Sequence, residues 1–172
     1  HQSVYFEGIE FMLKKIYNKV THEWDTSVEE ALKSFIRLPA LSPDFDKKWE
    51  ENGVLLKALE EAKAWAEKQG IKGLRCEIIK DDGFTPCLFI EVDATSDKKF
   101  ERSVFFYGHL DKQPPNEGWD PDKSAWEPVI QNGRLYGRGA VDDGYAFYTS
   151  LAAVKVLQTL EIPHPRCVGL FE

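Results

Sequence analysis

Three side chains, His109, Asp111 and Asp142, have the types and spacing to do chemistry together. An imidazole can ligate a metal or carry a proton near neutral pH. A carboxylate that accepts from one ring nitrogen fixes the tautomer and makes the other nitrogen a better ligand. In an extended segment, residues two apart face the same way, so His109 and Asp111 can look into one crevice. An imidazole, its orienting carboxylate and a remote second carboxylate are the groups a hydrolytic zinc site uses. By itself the His-x-Asp triplet fits a strand that merely ends in polar residues, so its weight comes from its surroundings.

Those surroundings are two strand ends. Ser103 to Tyr107 reads as a buried strand that stops at Gly108 and releases His109 from its carboxyl edge, where open α/β sheets bind ligands. Asp142 follows Gly137-Arg138-Gly139-Ala140-Val141, between a short strand over Arg134 to Tyr136 and a helix predicted from Asp143 to Leu160. A dinucleotide loop is excluded: Asp142 stands where the third glycine would be, and paired acids at a helix N-terminus repel a pyrophosphate. Asp143 is assigned to capping the helix. Asp142 is assigned to metal, kept ionised by the helix dipole, with glycines letting the backbone approach a crowded centre.

The rest of the chain supplies the frame. Ile9, Met12, Leu13, Ile16 and Val20 recur at helical spacing and predict an amphipathic helix packed on something larger. A second helix is expected from Val28 to about Leu38, with Ser27 and Glu30 as a capping box and Pro39 as its stop. A third, begun by Asp46, should run from about Lys47 to Gln69 and stop at Gly70. Strands are expected over Leu74 to Lys80 and Cys87 to Val92, joined through Asp82-Gly83, and over Cys167 to Phe171. Residues 93 to 102 and 113 to 125 read as loops. Helices flanking short apolar strands predict an α/β fold of three layers, α/β/α, within one domain over residues 1–172.

Composition narrows the function. With 42% hydrophobic and 30% charged residues among 172, the chain can bury a core and is neither disordered nor fibrous. A net charge of -7 without a basic stripe argues against nucleic acid as a partner. No apolar run is long enough to cross a bilayer, so no membrane partner is expected. Cys76, Cys87 and Cys167 are odd in number, lack metal spacing and sit in strand-like runs, which predicts small core hydrophobes in a reducing, cytoplasmic setting. The chain opens on His1, which leaves a removed leader open.

Taken together, Tyr107-Gly-His-Leu-Asp111, the Trp119 loop with Pro128, the run from Asn132 to Asp143 and the apolar strand into Glu172 resemble the co-catalytic zinc peptidase family. That family contains carboxypeptidase G, succinyl-diaminopimelate desuccinylase, aminoacylase and the carnosine-type dipeptidases. GHLDKQP, with the N-terminal helices leading into LPALSPDFD, is most similar to the dipeptidase branch. The resemblance implies that His109 ligates one of two zinc ions, that Asp111 orients it, and that Asp142 bridges both metals. Where the family usually continues with Lys-Gly, Gly144-Tyr145 follow here, and the ligands stay intact. Glu172 matches the first, non-catalytic position of a Glu-x-x-Glu-Glu run, so the general base, the remaining ligands and a lid domain that mediates homodimerisation are expected beyond it.

The implied activity is two-metal hydrolysis of peptide or amide bonds in small peptides or N-acyl amino acids, with residues 1–172 alone inactive. A deacylase or desuccinylase of N-acyl amino acids, and a non-catalytic binding or assembly module on the same fold, are the alternatives. His1, His22 and His164 are read as surface residues, and Trp49, Trp65 and Trp126 as packing between layers. For Arg138 an ion pair with neighbouring acids is favoured over a substrate carboxylate.

Overall fold

The computed structural model describes residues 2–95, 100–142 and 144–172. The two helices expected first form one continuous run. Helix α1 spans Gln2–Glu23, passes through a single π-helical stretch at Trp24–Val28, and continues as α2, Glu29–Arg37. This overturns the capping box: no helix begins at Ser27, and its hydroxyl instead donates to Gln69 Oε1 at 3.1 Å and accepts from Trp65 Nε1 at 3.1 Å. The apolar stripe of α1 is real but largely uncovered, with Leu13 60% exposed.

The third helix is broken in two, α3 at Trp49–Asn52 and α4 at Val54–Glu67, by Gly53 in the left-handed conformation with φ of 67°. Asn52 makes the break self-consistent, because its Oδ1 accepts from the Val54 N–H at 3.0 Å and its Nδ2 donates to Asp46 at 2.6 Å. Asn52-Gly53 was a turn signal hidden inside a helical pattern.

Strands β1 (Leu74–Ile79), β2 (Cys87–Val92), β3 (Val104–Gly108) and β6 (Cys167–Phe171) form one sheet in the order β1-β2-β6-β3. β2 is antiparallel to both β1 and β6, while β3 and β6 are parallel and joined through helix α5, Tyr145–Thr159. Strands β4 (Val129–Gln131) and β5 (Arg134–Tyr136) make a separate hairpin. Asn132 and Gly133 turn it with φ of 52° and 72°, the pair of positive values a type I′ turn needs.

The α/β class holds, and the described residues supply the sheet and one helical layer. Leu88, Ile90, Val92, Cys167 and Phe171 face α4 and α5 in one core with Leu55, Leu59, Phe147 and Leu151. The opposite face carries Arg75, Glu77, Ile79, Phe105 and Tyr107, all exposed. β3 is therefore not the buried strand that its composition suggested. It is the last strand in the order, and Phe105 and Tyr107 are 63% and 53% exposed. Cys76, Cys87 and Cys167 are free thiols within the strands, as expected.

Candidate metal centre

β3 delivers His109 as the first residue beyond its carboxyl end. The chain bends at Leu110 and Asp111, and His109 Nδ1 stands 3.5 Å from Asp111 Oδ1. A second carboxylate flanks the same nitrogen, Glu172 Oε1 at 3.7 Å. Glu172 also holds the strand end by its backbone: its carbonyl accepts from the N–H groups of Leu110 and Asp111, and its N–H donates to Gly108 O at 3.4 Å. The Tyr107 hydroxyl donates to the Glu172 carboxylate, which raises the phenol above its ordinary pKa, and the Tyr107 ring meets the His109 ring edge-on at 5.4 Å. In the sequence Glu172 was given only a non-catalytic motif position, because its contact with His109 depends on β6 lying beside β3.

With Nδ1 held among carboxylates, Nε2 is the nitrogen left to coordinate. The imidazole is half exposed. Asp142 lies in the bend ahead of α5, which begins at Tyr145, and its side chain is exposed. Asp143, expected to cap that helix, lies outside the described residues. Among the described residues, no three or more His, Cys, Asp or Glu converge tightly enough to hold a metal ion. His109 and Asp111 are thus brought together. The donors suit a divalent zinc ion in kind, a nitrogen ligand backed by a carboxylate, and they make up part of a complete set.

The glycines of the Asp142 loop have a different partner from the one foreseen. A Cβ at Gly137 would come within 2.6 Å of Ile36 Cγ2, and one at Gly139 within 2.9 Å of Phe35 Cε1. The loop is seated on the end of α2, and that close approach is what requires glycine.

Two further residues differ from expectation. His164 is 2% exposed, its Nδ1 2.8 Å from Pro165 O and its Nε2 3.1 Å from Gln158 Nε2, so the flanking prolines tuck it in instead of displaying it. Arg138 forms no ion pair among the described residues, and its Nε is buried without a hydrogen-bond partner. Trp49 and Trp65 pack against the core, as read.

Residues 105–171, the segment that holds both His109 and Asp142, match the family described as peptidase family M20/M25/M40. This part of the chain is similar to that peptidase family. Over 78 residues the chain is 36% identical to a Beta-Ala-His dipeptidase of Mus musculus, covering 44% of this chain and 15% of that one. Over 67 residues it is 40% identical to a succinyl-diaminopimelate desuccinylase of Aromatoleum aromaticum, covering 37% and 16%. The fold of this chain is similar to that of human carnosine dipeptidase 1, with a TM-score of 0.67, 21% identity, and coverage of 94% of this chain and 34% of that one. The dipeptidase Dug1p of Saccharomyces cerevisiae gives the same TM-score of 0.67 over 93% of this chain. The chain thus spans 34% of the length of these solved M20-like structures.

Proposed function

We propose that the complete protein is a two-zinc hydrolase of peptide or amide bonds in small substrates, of dipeptidase type, and that residues 1–172 carry the first half of its centre. The observation that carries this reading is the placement of His109 at a strand end with Asp111 3.5 Å from its Nδ1. In this reading His109 offers Nε2 to one metal, Asp111 holds the Nδ1 proton and keeps the ring oriented, and Asp142 offers its carboxylate as the bridge. Bound zinc would supply Lewis acidity toward the scissile carbonyl and lower the pKa of water. The general base, the remaining ligands and a dimerising lid lie in parts of the protein outside these residues. Free, buried or half-buried thiols support a reducing, cytoplasmic setting. Among the described residues no helix is long and apolar enough to cross a membrane.

Similarity to a desuccinylase supports a second reading on the same centre, cleavage of an acyl group from an amino acid. Both readings are tested by measuring zinc content of the complete protein and its turnover on a panel of dipeptides and N-acyl amino acids, before and after chelation. Chelator-sensitive hydrolysis of dipeptides is the expected result. Zinc-free protein that is inert toward the whole panel would leave a binding module on a peptidase fold.

A further inference from the structure

We propose that Lys112 is a positioning residue that sets the spacing between the His109–Asp111 segment and the loop carrying Asp142. The proposal rests on the zinc-hydrolase reading of those residues. Lys112 is 1% exposed, which is unusual for an ammonium group and costly unless the charge is compensated.

Part of the compensation comes from the end of α2. Nζ donates to Phe35 O at 2.6 Å, Ile36 O at 3.2 Å and Leu38 O at 2.7 Å, the carbonyls at the C-terminal end of α2. Phe35 O and Leu38 O also accept from the Leu38 and Ala40 N–H groups at 3.0 and 2.8 Å, and the three carbonyls lie at the negative end of the helix dipole, so a buried cation is favourable there. The ammonium also lies 4.0 Å from the centre of the Phe35 ring and 5.3 Å from that of Trp126. Its backbone is tied as well, since Lys112 O accepts from the Ser42 N–H at 2.9 Å.

Both halves of the candidate centre therefore lean on the same helix end. On one side, Lys112 follows Asp111 directly in the chain. On the other, a Cβ at Gly139 would stand 3.2 Å from Lys112 Cε and 2.9 Å from Phe35 Cε1, and Asp142 is three residues further on. A side chain that only filled space could be apolar. An ammonium fixed on three carbonyls has one allowed position, and it holds Asp111 and the Gly139 turn at a set separation.

The test compares Lys112→Met, which keeps an unbranched chain one atom shorter and removes the donors, with Lys112→Arg, which restores donors and charge, in the complete protein. Zinc affinity by chelator competition, kcat and KM on a dipeptide, thermal midpoint, and amide hydrogen exchange of the metal-free protein are measured. The Met variant should bind zinc roughly ten- to a hundredfold more weakly, the scale of a lost supporting contact. Its kcat should fall with KM nearly unchanged, as for a group that positions the reacting centre. Exchange should rise selectively over residues 109–112 and 137–142, and the Arg variant should recover part of each effect. A lower thermal midpoint with zinc affinity, kcat and selective exchange all at wild-type levels would overturn the proposal and leave Lys112 a structural plug. If the Met variant does not fold, Lys112→Gln, one bond shorter and neutral, is judged by the same readouts and the same outcomes. If wild-type protein neither binds zinc nor turns over, the hydrolase reading has failed, and exchange alone decides: selective loss of protection in both segments upholds the clamp, and uniform or unchanged exchange overturns it.

Discussion

The Phe35 ring lies directly beneath Gly144, so close that a Cβ on the glycine would come within 2.1 Å of Phe35 Cε1. α2 thereby supports both ends of the loop around Asp142. Gly144→Ala should destabilise the fold by roughly 1–3 kcal/mol through overpacking. Phe35→Leu in the same chain should recover part of that loss, and a double-mutant cycle in urea would measure it. Strictly additive losses would mean that the two residues do not press on each other.

His109→Ala and Asp142→Ala in the complete protein should each abolish hydrolysis, because removing a terminal or a bridging ligand dismantles a two-metal centre. Steady-state turnover together with zinc content checks both. Wild-type rates from either purified variant would end the zinc reading of these residues.

Asp111→Asn keeps size and fold but replaces an ionised acceptor facing His109 Nδ1 with an amide. Zinc affinity and activity should fall by roughly ten- to a hundredfold. Competition with a chelator of known affinity reads the change, and an unaltered affinity would reduce Asp111 to a strand-end ornament.

Glu23 ties α1 to α5, with Oε2 2.6 Å from Lys155 Nζ and Oε1 3.1 Å from Lys19 Nζ. Burial pushes its carboxyl up, but the hydrogen bonds and charges of Lys155 and Lys19 outweigh this and hold it below the usual glutamate value. The folded pKa is thus below the unfolded one, so this stabilisation is complete above the unfolded value of about 4.3 and fades as pH falls through the folded value. Lys155→Met should cost about 1.5–3 kcal/mol at neutral pH, the range for a hydrogen bond to a charged group. Urea midpoints measured from neutral pH down into the acid range should show the gap to wild type closing, and a constant gap would show that the pair does not couple.

Burial holds the Cys76 thiol up at about 11 and raises those of Cys87 and Cys167 as well. Thiolate is the reactive form, so at mildly alkaline pH the native protein should react with iodoacetamide at least about tenfold more slowly than the unfolded chain. Mass spectrometry at timed intervals gives the rates, and rapid native labelling at Cys76 would contradict the partial burial of its thiol.

Local signals carried much of the architecture. The short strand after Asn132-Gly133 was legible, Cys87 to Val92 showed its strand by composition, and Gly70 marked the end of α4. What was hidden depended on partners remote in the chain. Ser27 looked like a cap because nothing nearby says that α1 runs on through a π-turn into α2. The exposure of Phe105 and Tyr107 follows from β3 being outermost, which no window around them contains. In the candidate centre, His109 and Asp111 were legible from their types and their two-residue spacing at a strand end. Lys112 was not, and Glu172 was read only as a non-catalytic motif position, since each acquires its contacts from a neighbour brought up by tertiary packing.

The strand order also dictates a sequence of events. β1 and β2 are adjacent in the chain and can pair as soon as both are made. β3 cannot join them then, because β6 occupies the place between β2 and β3. The strand that presents His109 must wait through the loop, the β4–β5 hairpin and α5 until residues 167–171 emerge, a long closure of the kind that slows folding. The histidine is thus among the last parts of this sheet to be fixed, and a nascent chain passes through a stage in which its hairpin is formed while its imidazole still has no fixed address.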